Sequence, residues 1–260
     1  MTNLQNDLIL VGATGRLGSS ILKTNSISYG ICSSENPLQG KKIDNLSYPL
    51  LGSLLEIPKD KLKNPVVIDA SYPENLSNIH EFCLSNKIPL VLASTGHSSE
   101  QIENLKSLSE DVAILHAPNL SRGIAFFKLK ILKTIIDDVN QNLINNSQTK
   151  ISIKIIETHH KKKKDAPSGT ALDIKKFIEL HLDQDININI ESLRDKSSVG
   201  RHEVIFGFDN EEILVTHNAL SRDIFGEGAR LSHILRQKKP GFYTVEDLLK
   251  EDNLFLYSYF

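Results

Sequence analysis

Short apolar runs alternate with amphipathic segments along the first half of the chain. Between the runs, apolar residues recur every three or four positions, as at Leu17, Ile21 and Leu22, which is the spacing of a helix. The uninterrupted apolar runs predict buried strands, at 7–11, 29–34, 65–71, 88–96 and 112–119. Buried strands separated by helices indicate an α/β fold, with a parallel sheet covered on both faces and right-handed crossovers.

The pattern changes near Asn119. An apolar helical stripe follows, and then Ile151, Ile153 and Ile155 alternate with polar residues, which predicts a half-buried strand. An amphipathic helix comes next. Further alternation of apolar and polar residues predicts antiparallel strands with one solvent-exposed face, at 186–190, 201–208 and 211–219. A second, α+β unit is therefore predicted at roughly 119–228, after which the chain returns to helical patterns.

Composition limits the classes of function that need to be considered. The chain has 260 residues and a net charge of −2, so we expect neither nucleic acid nor a membrane as a partner, and a basic site must be local. Cys32 and Cys83 are too few for a disulfide scaffold or a cysteine metal site, which predicts a cytoplasmic location. The first residues lack the apolar core of a signal peptide, and no apolar run approaches the ~20 residues that span a bilayer.

A glycine-rich turn directly follows the first predicted strand. Gly12, Gly15 and Gly18 form a G-x-x-G-x-x-G pattern in "GATGRLG" and precede a predicted helix. Small residues there let backbone N–H groups and the helix N-terminus approach a pyrophosphate. Thr14 stands where the strictest fingerprint has glycine, and glycine turns also occur for structural reasons alone. The strand–turn–helix context nevertheless predicts a dinucleotide site.

The end of the second predicted strand bears on the choice between NADH and NADPH. A carboxylate at that position bonds the ribose hydroxyl of NAD, whereas a basic residue or small hydroxyl groups admit the 2′-phosphate of NADP. Ser33 and Ser34 occupy this position, and Glu35 follows only afterwards. Either the two serines contact the ribose, which favours NADPH, or they simply begin a loop.

The stretch "ETHHKKKKDAPSGTAL" at 157–172 concentrates reactive side chains. The strand before it should place Thr158 to Lys164 in a loop, and Ser168 or Thr170 should cap the next helix. Backbone N–H groups of the turn, with the helix dipole behind them, suit a carboxylate or a phosphate. Histidine transfers protons near neutral pH. We therefore predict a site that binds a small di-acid and protonates it.

Less specific interpretations of this stretch are open. A lysine run can be a solvated loop or a nucleic-acid patch, and adjacent histidines can be surface residues or metal ligands. No third ligand pattern supports a metal, so we predict no metal site. The abrupt DAPSGT turn beyond the lysines argues against a solvated loop.

The same stretch resembles the substrate motif E-x-H-H-x-x-K-x-D-A-P-S-G-T-A of bacterial dihydrodipicolinate reductases, also called 4-hydroxy-tetrahydrodipicolinate reductases. The resemblance covers most of the chain through "GATGRLG", "DASYPEN", "LASTG", "HAPNLSRG", "SLRDKSSVGRHEVIFG" and "VTHNALSRDIFGEGA". It implies reduction of a cyclic imine di-acid by NADPH or NADH on the route to diaminopimelate and lysine.

The resemblance also implies an architecture. Residues 1–118 and 229–260 would form a Rossmann-type parallel-sheet nucleotide domain. A central α+β domain at 119–228, with an open mixed sheet, would bind the substrate and assemble the chain into a homotetramer.

Residue roles are implied by motif position. His159 resembles the family's general acid, Lys163 resembles the lysine that binds and polarises the substrate, and His160 resembles their neighbour in the substrate pocket. The residues that resemble the carboxylate-binding turn are Ser168, Gly169 and Thr170. No role is assigned to the lysines at variable positions of the motif, which are Lys161, Lys162 and Lys164.

Three stretches match the family's cofactor contacts: a glycine loop, a strand exit where the family usually has G-T-T-G, and a segment near the domain hinge. Their residues are Gly12, Ala13, Thr14, Gly15, Arg16 and Leu17; Ala93, Ser94, Thr95 and Gly96; and Ala117, Pro118 and Asn119. The family commonly has an acidic–basic pair after the second strand, where this chain has Ser33 and Ser34. We expect a preference for NADPH with some use of NADH.

Two other functions use the same features. One is a related two-domain dehydrogenase that acts on an amino acid. The other is a catalytically inactive NADP-binding sensor, which the intact His-His-Lys motif disfavours. Nucleotide titration together with a turnover assay on the cyclic imine would distinguish all three.

Overall fold

The computed structural model describes residues 6–145, 150–161, 163 and 165–251. The chain divides into two compact units, one made of the residues up to Ser121 and those from Asp223 onward, the other of Arg122–Arg222. The boundaries predicted from the sequence, at 118/119 and 228/229, lie a few residues away. Each unit has its own apolar core.

A six-stranded parallel sheet forms the centre of the first unit. Its strands are β1 (Leu8–Val11), β2 (Tyr29–Ile31), β3 (Val66–Asp69), β4 (Leu90–Leu92), β5 (Ala113–His116) and β10 (Gly241–Thr244). The order is β10-β5-β4-β3-β1-β2, and every neighbouring pair is parallel. The first five strands are buried because their apolar side chains face helices or loops on both sides of the sheet. The predicted parallel sheet is confirmed.

The helices of this unit are α1 (Arg16–Thr24), α2 (Leu76–Asn86), α3 (Ser99–Leu108), α7 (Asp223–Gly228), α8 (Leu231–Leu235) and α9 (Val245–Glu251). Short 3₁₀ turns occur at 54–56, 59–61 and 73–75. β10 was not predicted, because the sequence after residue 228 shows mainly helical patterns. Pairing with β5, which is distant in the chain, makes this short segment a strand.

A four-stranded mixed sheet forms the second unit with its helices. The elements are α4 (Arg122–Phe126), a π-helical turn (Phe127–Leu132), α5 (Lys133–Asn145), β6 (Ile151–His160), α6 (Gly169–His181), β7 (Ile188–Asp195), β8 (Gly200–Phe208) and β9 (Glu211–Ala219). The order is β7-β6-β8-β9. Ile153 and Ile155 of β6 pack with Ile174 and Ile178 of α6 in the core. The predicted mixed sheet is confirmed.

Two details of this sheet differ from the predictions. β7 runs parallel to β6, not antiparallel, because α6 carries the chain back to the starting edge of the sheet. β6 continues through His160, so Thr158, His159 and His160 lie in a strand rather than in a loop. Hydrogen bonding on both sides, to β7 and β8, extends the strand beyond its apolar part. Among the described residues, none of the helices has the length and apolar character required to cross a membrane.

Candidate active site

His159 and His160 are consecutive residues at the end of β6, so their side chains project to opposite faces of the sheet. Buried and more exposed positions alternate along β6, and Glu157 and His159 continue the buried series. His160 is half-buried and, as the next residue of the strand, projects to the other face. The structure thus separates the two histidines, and the substrate contact of His160 remains a prediction.

Glu157 is a fully buried carboxylate that accepts two hydrogen bonds. The backbone N–H of Ser168 donates to Glu157 Oε1 over 2.9 Å, and the hydroxyl of Ser192 donates to the same oxygen over 2.6 Å. Burial by itself raises the pKa of this carboxyl, but the hydrogen bonds from Ser168 and Ser192 outweigh burial and leave the pKa below its ordinary value. Glu157 is therefore ionised near neutral pH.

His159 lies beside the second oxygen of this carboxylate. Its Nδ1 is 3.5 Å from Glu157 Oε2, and neither atom has a hydrogen-bond partner among the described residues. Burial lowers the pKa of His159, the Glu157 charge opposes that shift, and the charges of Lys163 and Arg194 add to it. The imidazole is therefore mainly neutral at pH 7 unless a further negative charge binds nearby.

A row of polar side chains crosses the four strands at the level of Glu157. In the sheet register Ser192 and His202 flank Glu157 on the neighbouring strands, and His217 is the partner of His202. The rings of His159 and His202 meet edge to face with centroids 5.2 Å apart. Burial lowers the pKa of His202 to about 4, so this ring is neutral at pH 7.

Glu157 and His202 were not predicted from the sequence as residues of this site. Strand register brings His202 beside Glu157 although the two residues are far apart in the chain. One signal was present in the sequence, because Glu157 is a charged residue at a position where the alternation of β6 predicts an apolar one.

Lys163 forms an ion pair in the loop after β6. Its Nζ is 2.8 Å from Asp165 Oδ2, and the hydrogen bond from Lys163 is the main cause of the lowered pKa of the Asp165 carboxyl. The Arg194 guanidinium donates to the Asp165 backbone carbonyl over 2.7 Å and ties the loop to β7. Asp165 is exposed, so the pair is weak and a substrate carboxylate can compete for Lys163. Lys162 and Lys164 lie outside the described residues.

Ser168, one of the two caps predicted from the sequence, is the N-cap of α6. Its hydroxyl accepts a hydrogen bond from the Ala171 N–H over 3.2 Å, while its own N–H is bound to Glu157. Ser168 is buried, whereas Gly169 faces open space, where an added Cβ would meet no described atom within 4 Å. A carboxylate can therefore approach this helix N-terminus from the side of Gly169 and Thr170.

The buried groups beside α6 also include the atom types of a metal site. Glu157, His159 and His202 each place one ligand-type atom within 4.8 Å of the other two. Two imidazoles and a carboxylate are the composition of some zinc sites, and folding supplies the third group that the sequence pattern lacked. However, Lys163 and Arg194 add positive charge at His159, which opposes a divalent cation. An imidazole beside an ionised carboxylate is also an arrangement that can transfer a proton.

Gly200 leaves room for the ring of His159, which gives a first prediction. A Cβ built on Gly200 would lie 3.2 Å from His159 Nε2, so Gly200→Ala should shift the ring by a few tenths of an ångström. A misplacement of about 1 Å can cost ~100-fold in rate, so we expect this smaller shift to lower kcat by ~3-fold to ~10-fold. Steady-state kinetics would measure the change. Ser197→Ala, an exposed change in the loop before β8, should leave kcat unaltered. Normal turnover by a folded Gly200→Ala variant would contradict this placement of His159.

The glycine loop joins β1 to α1. Gly12 has a φ of +80°, and a Cβ there would lie 2.6 Å from the Ala70 carbonyl oxygen. A Cβ on Gly18 would collide with the carbonyl oxygen of Gly12, so glycine permits the close packing of α1 on the loop. Gly15 and Arg16 are exposed at the N-terminus of α1, which has no side-chain cap. The loop therefore fits the pyrophosphate of a dinucleotide.

The other predicted cofactor stretches lie at the same edge of the sheet as this loop. The strand order reverses at β1, which has β2 on one side and β3 on the other. Ligands of open α/β sheets bind outside the carboxyl ends of the strands at such a point. Ser33 and Ser34 follow β2, residues 93–96 follow β4, and residues 117–119 follow β5.

The turn after β4 is anchored by a buried hydroxyl. Ser94 Oγ donates to Asp69 Oδ2 over 2.5 Å and lies 2.9 Å from His97 Nε2. Thr95 and Gly96 are exposed, and Gly96 has a φ of +94°. Ser94 therefore holds the turn, while Thr95 and Gly96 leave their backbone accessible to a ligand.

β2 ends at Ile31, which is earlier than predicted. The N–H groups of Gly12 and Ala13 both donate to the Ile31 carbonyl, so the pairing with β1 stops where the glycine loop turns away. Ser33 and Ser34 are exposed beyond that point. Their contact with the ribose remains a prediction.

Comparison with known proteins identifies the same relationship as the motif. The family described as "Dihydrodipicolinate reductase, N-terminus" matches residues 6–120, and "Dihydrodipicolinate reductase, C-terminus" matches residues 130–249. The 4-hydroxy-tetrahydrodipicolinate reductase of Clostridium novyi is 32% identical over 95% of this chain and 99% of its own. That of Caldanaerobacter subterraneus is 33% identical over 94% and 98%.

A solved structure shares the fold. Dipicolinate-bound dihydrodipicolinate reductase from Paenisporosarcina sp. TG-14 superposes with a TM-score of 0.71, at 18% identity, over 92% of this chain and 97% of that chain. A probable dehydrogenase from Thermotoga maritima superposes with a TM-score of 0.61, at 10% identity, over 93% and 92%.

The first unit contains a parallel sheet of the dinucleotide-binding type, and the second unit contains His159 and Lys163. This combination is typical of a nicotinamide-dependent oxidoreductase. The family matches cover both units, and the relatives exceed 30% identity over nearly their whole length. The chain belongs to the dihydrodipicolinate reductase family.

Proposed function

We propose that this chain reduces 4-hydroxy-tetrahydrodipicolinate, by way of dihydrodipicolinate, to tetrahydrodipicolinate on the route to diaminopimelate and lysine. The shared name of its full-length relatives supports this substrate. The single structural observation that carries the proposal is the clustering at the end of β6. A buried imidazole, an ammonium group and the N-terminus of α6 lie together there, as a reaction that protonates a di-acid requires.

The reaction adds one hydride and one proton across a carbon–carbon double bond. That bond forms when the 4-hydroxy substrate loses water. A nicotinamide held by the loops of the parallel sheet would supply the hydride to ring carbon C4. His159 gives a proton to the adjacent carbon, where electron density of the enamine accumulates. Lys163 and the Gly169–Thr170 side of the turn hold the ring carboxylates and stabilise this charge.

The cofactor would be held by the exposed loops at the carboxyl edge of the parallel sheet. Arg16 and the N-terminus of α1 suit the pyrophosphate. Ser33 and Ser34 offer hydroxyl groups toward a 2′-phosphate, and Lys41 and Lys42 follow in the same exposed segment. With no carboxylate at the end of β2 to repel the phosphate, we propose NADPH as the preferred cofactor and NADH as a poorer one.

We expect the imine, generated in situ, to be reduced with a higher kcat/KM for NADPH than for NADH at one fixed ionic strength. Ser33→Asp should lower kcat/KM for NADPH by about 10-fold because like charges repel across a binding site. Ser26→Asp adds the same charge before β2, at the opposite edge of the sheet, and should have no effect. Preference of the wild type for NADH would contradict the cofactor assignment. Nucleotide binding without turnover would instead indicate a sensor.

We also propose that the mixed sheet assembles the chain into a homotetramer. Leu193 of β7 and Leu214 of β9 are exposed large apolar side chains on this sheet, which supports a second copy as the group that covers them. Cys32 and Cys83 are buried free thiols, which supports a reducing, cytoplasmic location.

A further inference from the structure

Glu157 is the first residue of the substrate motif, but the proposed mechanism assigns no role to its side chain. We propose that Glu157 is a positioning residue that holds the ring of His159 with the proton on Nδ1, so that Nε2 is the nitrogen that transfers the proton. The inference rests on the proposed function, in which His159 is the general acid.

The two oxygens of Glu157 have different surroundings. Oε1 accepts from the Ser168 N–H and from the Ser192 hydroxyl. Oε2 is buried and has no hydrogen-bond partner among the described residues, and it lies 3.5 Å from His159 Nδ1. A buried ionised oxygen without a donor is costly. A small rotation of the imidazole would bring Nδ1–H into hydrogen-bond range and remove that cost.

The two nitrogens of His159 are also in different surroundings. Nδ1 faces the Glu157 carboxylate, which can only accept a hydrogen bond while it is ionised. Nε2 lies on the other side of the ring, toward Gly200. A neutral imidazole carries one N–H, and the partner of one nitrogen decides which nitrogen carries it. Glu157 therefore favours the Nδ1–H form, which leaves Nε2 to gain and lose the transferred proton.

The charges around His159 make Glu157 its principal negative neighbour. The groups that act on the ring are Glu157 on its own strand, Lys163 and Asp165 in the following loop, Arg194 on β7 and His202 on β8, with His217 of β9 behind His202. Burial lowers the pKa of His159, Lys163 and Arg194 lower it further, and the carboxylates raise it, Glu157 more than Asp165. Removing the Glu157 charge should lower the pKa of His159 again.

The same carboxylate connects the acid to the substrate-binding turn. Through Oε1 it fixes the backbone N–H of Ser168, which is the N-cap of α6, and through Oε2 it faces His159. One buried side chain thus sets the position of the proton donor relative to the helix N-terminus that would receive a substrate carboxylate.

Glu157→Gln tests the proposal with little change in shape. The amide oxygen can keep the hydrogen bonds from Ser168 and Ser192, and the NH₂ group then faces His159 Nδ1. An N–H donor at that place disfavours a proton on Nδ1. We expect kcat to fall by about 100-fold, at the lower end of what general-acid catalysis contributes. The limb on which kcat falls with rising pH should move to lower pH, because the protonated acid is lost earlier.

Nitrogen NMR of ¹⁵N-histidine-labelled protein supplies a measurement that does not depend on turnover. His159→Gln identifies the His159 signals by their loss. The wild type should show neutral His159 as the Nδ1–H tautomer, and Glu157→Gln should show the Nε2–H tautomer with a lower pKa. Glu191→Gln removes an exposed carboxylate that pairs with Lys154 in the same sheet, and it should change neither the tautomer nor kcat.

Two NMR results would overturn the inference that Glu157 holds the proton on Nδ1 of His159. An Nε2–H tautomer in the wild type would do so even if Glu157→Gln does not fold, as would an unchanged tautomer and pKa in folded Glu157→Gln. Failure of the wild type to reduce the imine would instead contradict the proposed function, and the NMR titration would still decide the role of Glu157.

Discussion

Lys163→Ala is expected to lower turnover of the cyclic imine by ~100-fold to ~1,000-fold, the effect of removing one group aimed at developing charge. The ammonium group pairs with exposed Asp165, and its charge also acts on the buried ring of His159. It is therefore available to a substrate carboxylate beside the proposed acid. The loss should appear in kcat under saturating NADPH. Nucleotide binding, measured by fluorescence titration, should stay normal because the glycine loop belongs to the other unit.

Lys161→Ala is the matched control for this prediction. Lys161 is exposed in the same lysine run and carries the same charge. Lys161→Ala should leave kcat nearly unchanged, and we expect the same of Lys162→Ala, although Lys162 lies outside the described residues. Equal losses at Lys161 and Lys163 would indicate a diffuse basic patch and would contradict a specific role for Lys163.

His159→Gln is expected to lower kcat by ~100-fold or more, since general-acid catalysis contributes ~100-fold to ~10,000-fold. The acid must be protonated, yet burial and the nearby cations lower the pKa of His159 in the free protein. A bound di-anion adds negative charge and should raise that pKa. Binding of pyridine-2,6-dicarboxylate near pH 7 should therefore be accompanied by proton uptake. The uptake should vanish at lower pH, where the free protein is already protonated.

Calorimetry in buffers of different ionisation enthalpy would measure the uptake. In His159→Gln the uptake should disappear while the analogue still binds through Lys163 and the turn of α6. Uptake that persists unchanged in this variant would place the proton on another group, and His159 would then not be the acid. A second check is the rate, which should fall as pH rises through the raised pKa of the complex.

Much of the fold follows from patterns that are local in sequence. The apolar runs at β1, β3, β4 and β5 predicted buried parallel strands, and these are confirmed. The Pro-Ser-Gly-Thr turn predicted a helix cap at Ser168 or Thr170, and the Ser168 hydroxyl does accept from Ala171 N–H. Such features depend on the spacing of apolar residues, on the residues of a turn and on helix caps. Each of these involves only a few consecutive residues, so it can be recognised in the sequence.

The errors concern pairing between segments that are distant in the chain. β10 is a short run whose strand character depends on β5, and β7 is parallel because α6 crosses back before it. β6 extends through His160 because strands on both sides supply hydrogen bonds. Local propensity contains no information about which partner a strand will find, so these outcomes were not accessible from pattern alone.

The sequence by itself determined the family, the glycine loop and the identity of the two proposed catalytic side chains, His159 and Lys163. It could do so because these lie in contiguous motifs whose spacing is characteristic. Only the tertiary structure placed the buried charge of Glu157 against His159 and brought His202 beside them. Strand register and burial set the distances and the local dielectric that decide where a proton resides, and both properties arise only when separate segments pack together.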